Sequence, residues 1–283
     1  MKGAETESVV VKLSHVGRTP PSGLARAARR ISHADFVSGL RPAGLFPGWT
    51  GGAARPYMDR SQIWDFCYLS HMSRAPSWCG VILAAGESRR MGSDKALLPW
   101  PPVASGIPFS GETFVSAAIR ALIPFTDMVV VVAGQNEPDL AAAVYGAGAS
   151  LVRNPAPELG QFSSLRVGLR EVLNQGRDAA MITLVDRPPA SAAGLDKLRS
   201  AFEAAPSEVW AVVPEHNGRH GHPILVGREM IEEFLKAPET ATARDVEHEH
   251  REHVQYVPVD DPHVVMNVNT PDDYAALTTP QTR

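Results

Sequence analysis

Cysteine is scarce: Cys67 and Cys79 are the only two in 283 residues. Two thiols make neither a disulfide framework nor a thiolate metal cluster, and each reads as an ordinary thiol of a reducing compartment. No apolar run approaches the roughly 18 residues a membrane span needs. Lys2 is followed by no apolar stretch, so no secretory signal is visible. A cytoplasmic chain that does not enter a membrane is the expectation. Excess positive charge is missing as well. The net charge is -4, which argues against a dedicated nucleic-acid binder. No internal repeat, coiled-coil period, Ser-His-Asp ordering, haem motif or iron–sulfur spacing occurs.

What is present is enough apolar residue, 44% of the chain against 20% charged, for one large domain or one domain with an attachment. The charge is uneven. Residues 1–58 hold 8 Lys+Arg against 3 Asp+Glu. Residues 1–77 show no sustained period, with glycine, proline and alanine between Pro42 and Pro56. Val9–Leu13 suits a short strand and Leu24–Ile31 a basic helical turn. Two readings of this extension stand side by side: a basic arm, poorly ordered or partly packed, or a stretch before a true start at Met58 or Met72.

From Trp78 the punctuation becomes regular, and residues 78–283 read as one domain. Strands are expected at Val81–Ala84, Asp127–Ala133, Ser150–Val152, Ala179–Val185 and Val209–Val213. Helices are expected at Thr113–Ile123, Pro138–Tyr145, Ser163–Leu173 and Leu195–Ala205. Such alternation with short links means an α/β domain with a largely parallel sheet. Beyond it come a polar loop over Glu215–His222, a strand at Pro223–Val226 and a helix at Arg228–Leu235. Strands at Val254–Val259 and Val264–Val268 precede a closing helix at Pro271–Leu277, capped by Thr270 with Asp273 as its capping-box partner.

The chain is organised around Val81–Lys95, VILAAGESRRMGSDK. A buried strand runs into a loop bounded by glycines and carrying three cations, which offers backbone N–H groups and positive charge to a phosphate chain. The stretch fits neither GxGxxG nor GxxxxGK followed by Ser or Thr. A surface turn with incidental arginines is the bland alternative. Asp186 directly follows the apolar strand Met181–Val185. A carboxylate there has no task in a hydrophobic sheet and suits a magnesium ligand, unless it is a loop or helix-capping aspartate. His248, His250 and His253 fall at i, i+2 and i+5, which does not bring all three to one helix face. A solvated helix or turn is expected there, not a zinc site. For Ser163 and Ser164 helix capping competes with ligand contact.

The stretch LAAG-x-S-x-R-M-G-x-x-K over Leu83–Lys95 resembles the signature loop of the MobA-like nucleotidyltransferases. Four further segments resemble that family in the expected order: Gly160–Gly168 (G-x-x-x-S-L-x-x-G), Asp186-Arg187-Pro188 (D-x-P), Gly218–Pro223 (G-x-x-G-x-P) and Asn267–Asp273 (N-V-N-T-P-x-D). The likeness spans roughly Cys79–Leu277 and leaves the N-terminal extension without a counterpart. It implies a Rossmann-like three-layer α/β/α sandwich of the nucleotide-diphospho-sugar transferase type. It also implies Mg²⁺ as cofactor, with Asp186 and Asn269 as its ligands. Arg90 and Lys95 become the cations that neutralise phosphoryl charge, and Arg89 a solvated neighbour. Leu83, Ala84, Ala85, Gly86, Gln161 and Ser164 become nucleotide contacts. Gly221, His222 and Pro223 fall to the acceptor side, where His222 is placed to bond backbone or acceptor, or to shuttle a proton. The implied reaction transfers CMP from CTP to the terminal phosphate of molybdopterin, releasing pyrophosphate; guanylyl transfer, or transfer to another phosphorylated acceptor, is the alternative. The Ala84-Ala85-Gly86 loop leans toward CTP; Asn269 leans toward GTP. A nucleotide-binding protein without activity, engaging a molybdoenzyme maturation chaperone through the basic arm, is the reading from another class.

Overall fold

The computed structural model describes residues 76–88, 90–102 and 111–277. The expectations for Val9–Leu13, Leu24–Ile31, Cys67 and Arg89 lie outside these residues.

Runs with no polar face become strands covered on both sides. β1 (Trp78–Leu83) is buried along its whole length, and β2 (Met128–Ala133) is buried after its first residue. With β3 (Ser150–Arg153) and β4 (Ala179–Leu184) they form a parallel block in the order β3-β2-β1-β4. β5 (Ala211–His216), β6 (Arg219–His220) and β7 (Ile224–Gly227) extend the sheet as β4-β7-β5-β6. β8 (Val254–Pro258) pairs parallel with β5. β7 runs antiparallel to both β4 and β5, and the two-residue β6 antiparallel to β5, so the eight-stranded sheet is largely parallel with two short reversed strands.

Because strand side chains alternate between faces, the sheet builds two cores. Ile82, Val129, Val131, Met181 and Leu225 face one layer, formed by α1 (Phe114–Leu122), α2 (Glu137–Gly146) and α4 (Ala192–Glu203). Val81, Leu83, Val130, Val132 and Val226 face the other. That side is covered by α3 (Gln161–Asn174), α5 (Arg228–Lys236) and the short α6 (Ala243–Glu249). The result is the expected α/β/α sandwich. Gly168 is what lets α3 lie so close: a Cβ there would come within 2.7 Å of Val81. Among the described residues no helix is long and apolar enough to cross a membrane.

Two local expectations change. Val264–Val268 is not a strand; Pro262–Val265 forms a 3-10 turn whose cap, Asp261, accepts from His263 N at 3.0 Å. Valine periodicity there reported burial (Val264 and Val268 are each 1% exposed), and Asp-Pro supplied the turn that ends pairing. The polar loop after β5 is in part a hairpin, with Glu215 opposite His220 and His216 opposite Arg219. Its turn is Asn217-Gly218, both left-handed at φ 50° and 73°. Asn-Gly is the dipeptide a two-residue hairpin prefers. The closing helix α7 (Pro271–Ala276) carries the expected capping box of Thr270 and Asp273.

Candidate active site

The chain leaves β1 to build β2 and β3 on one side and returns to β4 on the other, so the C-terminal ends of β1 and β4 flank the point where strand order reverses. Open α/β sheets hold ligands at that crevice. The loop after β1, Asp186 after β4 and the segment before α7 all converge there.

The loop is held from below. Asn136 donates to the Ala84 carbonyl (3.0 Å) and to Asp94 Oδ2 (2.6 Å), and Asp94 Oδ1 caps the turn Lys95–Leu97 by accepting from Ala96 N. Ser88, left-handed at φ 48°, accepts from Lys95 N on its hydroxyl (3.1 Å) and from Met91 N on its carbonyl (2.9 Å). The loop thereby folds over and turns Lys95 inward. A Cβ on Gly134 would stand 2.8 Å from the Ala85 carbonyl oxygen, so the end of β2 fits beneath the loop only as glycine. Gly86 differs: a Cβ there would meet nothing within 4 Å. Its bareness leaves room above the loop and serves no packing.

Lys95, only 9% exposed, donates from Nζ to Asn269 Oδ1 at 2.8 Å and stands 3.8 Å from Asp186 Oδ2. Arg90 reaches the same Asn269 oxygen at 3.3 Å. Asn269 is fixed from behind: its N–H and that of Thr270 both donate to Asp273 Oδ2 at 2.9 Å. Val268 N donates to the Asp186 carbonyl at 2.8 Å, which ties the two segments together. Residues far apart in the chain therefore form one cluster of two cations, a carboxylate and an amide.

A cavity of about 270 Å³ lies over this cluster, lined among others by Leu83, Ala85, Gly86, Gln161, Ser164 and Asp186. A neighbouring one of about 390 Å³ is bounded by Ser88, Arg90, Lys95, Pro157 and Glu158. Ala84 is the expected contact that does not line them. It is buried, with its N–H given to Val132 and its carbonyl taken by Asn136. Gly160 begins α3 at φ 93° with no side-chain cap, so the first N–H groups of a 14-residue helix face the cavity uncapped, a favourable setting for an anion. Ser163 and Ser164 do not cap it. Ser163 donates to the Gly160 carbonyl at 2.7 Å, and both hydroxyls accept from Asn154 Nδ2.

A larger cavity of about 1040 Å³ shares Leu83, Gly160, Gln161 and Leu184 with the smaller one and extends under β5, β7 and α6. Gly221 and His222 line it; Pro223, after a cis bond, faces a crevice on the other side. A Cβ on Gly221 would overlap the Val264 carbonyl at 2.0 Å. His222 Nδ1 lies 3.4 Å from the Ile182 carbonyl. Burial, with the Arg187 charge adding, pushes its pKa down to about 3 against the pull of that carbonyl. The imidazole thus favours its neutral form, with Nδ1 turned to the backbone. Glu247, which the charged stretch concealed, lines the same cavity with its carboxyl pushed up to about 7 by burial, Arg244 opposing. Sequence reasoning also passed over Ser88, Gly134 and Asn136, whose roles depend on chain crossings that no local motif records.

Residues 80–254 match the MobA-like NTP transferase domain. The chain belongs to that family. Among MobA-like relatives, the molybdenum cofactor cytidylyltransferase of Escherichia coli K12 is 24% identical over 199 residues, covering 69% of this chain and 92% of the relative. A probable molybdenum cofactor guanylyltransferase of Rhodopirellula baltica is 29% identical over 205 residues, 70% of this chain and 90% of its own. The crystal structure of Rv0371c from Mycobacterium tuberculosis H37Rv superposes with a TM-score of 0.59 at 26% identity, over 72% of this chain and 98% of that one. A manganese complex of the same protein gives 0.55 at 24% identity, over 71% and 97%. The MobA-like chain is accordingly a nucleotidyltransferase by family.

The donor set fits a hard divalent ion. Asp186 Oδ1 is buried and accepts no hydrogen bond from a described residue. Among the described residues no three His, Cys, Asp or Glu side chains gather. Asp186 Oδ1 is the free oxygen of a sparse set, the kind Mg²⁺ takes when substrate phosphates and water complete its shell; the Asn269 amide oxygen would join it on giving up the Lys95 and Arg90 bonds it accepts here. His248, His250 and His253 do not compete: His253 stacks on Trp210 at 3.6 Å, and His250 lies 3.7 Å from Glu233. Cys79 is buried in β1 with its thiol pushed up to about 12 by burial, an inert packing residue.

Proposed function

We propose that this chain transfers CMP from CTP·Mg²⁺ to the terminal phosphate of molybdopterin. A phosphate oxygen of the acceptor forms a bond to the α-phosphorus, the α–β bridging P–O bond breaks, and pyrophosphate leaves with the electron pair. The nucleophile is already an oxyanion, so no strong general base is demanded, and position and charge carry the rate. Arg90 and Lys95 hold the phosphates and neutralise the growing negative charge. The uncapped start of α3 adds a third positive element. Asp186 and Asn269 would hold Mg²⁺, which supplies Lewis-acid charge neutralisation on the phosphoryl oxygens. Ala85, Gly86 and Gln161 bound the space for base and ribose, and the 1040 Å³ cavity receives the acceptor.

The convergence of Lys95 on both Asn269 and Asp186 is the observation that carries transfer. The preference for CTP rests on Ala85, which lines the cavity proposed for the base. GTP is the second reading. Asn269 favours it, as do the names of relatives such as the Rhodopirellula baltica protein. Pyrophosphate release from each of the four triphosphates with molybdopterin decides between them. CTP turnover is expected to exceed GTP turnover, and Ala85→Gly to move the kcat/KM ratio toward GTP by roughly ten- to a hundredfold, the worth of a methylene-sized steric filter. Turnover of GTP alone by the unaltered chain would reverse the assignment. Release with no triphosphate would remove the reading.

A further inference from the structure

The large cavity has a charged end that the transfer chemistry above does not use. Arg187, directly after Asp186, and Arg219, from the hairpin strand β6, both line it. They come from distant segments and are drawn to neighbouring carbonyls of one turn. Arg187 donates to the Val264 oxygen at 2.9 Å, and Arg219 to the Val265 oxygen at 3.4 Å. Burial acts most strongly on Arg187, the neighbouring Asp186 charge offsets part of that cost, and the Arg219 charge adds to it. No carboxylate makes an ion pair with either among the described residues, since Asp186 pairs with Lys95 and Glu215 with His220. Arg187 is half-buried, its side chain makes one hydrogen bond, and its Nε–H is buried without a partner.

Bringing the exposed Arg219 beside the half-buried Arg187 costs free energy unless an anion joins them. A bracing arginine in a fold would be met by a carboxylate or by several carbonyls. Here one carbonyl holds each guanidinium in place and leaves further N–H donors free for the cavity. Guanidinium forks match phosphate oxygens two at a time. The rest of the wall is mixed: Phe162, Phe234 and Tyr256 offer aromatic faces, beside Glu239, Arg244 and Glu247.

We propose that Arg187 and Arg219 form a seat for a phosphate monoester borne on a flat apolar body, and that this seat brings the acceptor's phosphate beside Asp186. The assignment rests on the acceptor occupying this cavity, as read above. Selection of the acceptor is then by charge at the inner end and by stacking and burial along the wall. Arg187 and Arg219 are positioning residues, distinct from the Arg90 and Lys95 pair that holds the nucleotide.

The test uses phenyl phosphate as a plain aryl monoester, titrated into the full chain and followed by ³¹P NMR, with no nucleotide present. Losing one charge-assisted bond weakens binding by roughly ten- to a hundredfold, so Arg187→Gln and Arg219→Gln should each do so, while Arg90→Gln should not. Arg187→Lys should keep part of the affinity. CTP·Mg²⁺ and GTP·Mg²⁺ binding, measured calorimetrically on the Arg187 and Arg219 variants, should stay within about threefold, which a role confined to folding would not allow. Should Arg187→Gln fail to fold, the exposed Arg219 carries the test alone. Phenyl phosphate that does not bind, or whose affinity follows Arg90 and ignores Arg187 and Arg219, would overturn the seat. Binding that follows the two arginines in a protein that transfers nothing to molybdopterin would leave the seat standing and remove the proposed function.

Discussion

Asp186→Asn separates the fold from the chemistry, because the substitution keeps shape and removes charge. In the protein without nucleotide, the carboxylate stands 3.8 Å from Lys95 Nζ, with side-chain exposures of 28% and 11% respectively. The direct attraction at that distance is about 4 kcal/mol at an effective dielectric constant of 20. Desolvation of two largely buried charges opposes it and cancels most of it, and in the variant Lys95 keeps its bond to Asn269. Oδ1 is buried without a hydrogen bond, a cost to the fold of roughly 1–3 kcal/mol that the neutral amide does not raise. Stability should therefore change by no more than about 1 kcal/mol, a shift of about 2–4 °C in Tm for a domain of this size. The reaction should suffer far more. Removing a charge aimed at the reacting phosphates costs roughly 2.7–4 kcal/mol of transition-state stabilisation, a fall of about 10²–10³ in kcat. Thermal melts with and without triphosphate and Mg²⁺, set beside pyrophosphate release at saturating substrate, measure both. Release within threefold of the unaltered protein would refute the metal role. A loss of many degrees in the ligand-free melt would refute the claim that this carboxylate has no structural task.

Gly221→Ala should cost several kcal/mol, beyond the roughly 1–3 kcal/mol of ordinary overpacking, because its Cβ would overlap the Val264 carbonyl at 2.0 Å; urea midpoints at unchanged m-value check it. Gly86→Ala has nothing within 4 Å of the new Cβ, so stability should hold to within about 0.5 kcal/mol while triphosphate affinity falls, as calorimetry would read. His222 carries a pH signature. Its pKa is about 3 in the fold against 6.5 for the free side chain, so the unfolded chain takes up the proton first. The stability it supports is complete above pH 6.5 and falls toward pH 3 by up to about 1.4 kcal/mol per unit. Glu247 slopes the other way, since its carboxyl is raised from 4.5 to about 7 and its contribution is lost as pH rises through that window. The comparison of His222→Asn with the unaltered protein isolates the first effect: denaturation curves from pH 7 to 5 should be flatter in the variant, and parallel curves would refute a buried neutral imidazole.

Much of the architecture was legible because its causes are local. The apolar run Met128–Ala133 and the nearly apolar Ala179–Leu184 suit strands covered on both faces, and the Thr270–Asp273 capping box needs no distant partner. Local reading failed where two local causes compete. Val264 and Val265 have the composition of a strand but follow an Asp-Pro that starts a 3-10 turn. Asn217-Gly218 was a turn signal inside a stretch whose polarity alone suggested a loop. Ala84 shows the limit of motif matching, for a residue inside the signature can serve the loop's foundation and not the ligand.

By itself, then, the sequence determined the α/β alternation, the glycine loop with its cations after the first strand, and a strand-end aspartate. These follow from hydrophobic period, turn chemistry and the rarity of a carboxylate at the end of an apolar run. Only the tertiary structure decided that Lys95 stands between Asn269 and Asp186 and that His222 is held neutral. It alone brought Arg187 and Arg219 to adjacent carbonyls. Those facts depend on which strand lies next to which, an order set by the summed burial of two sheet faces, and no window of neighbouring residues contains that sum.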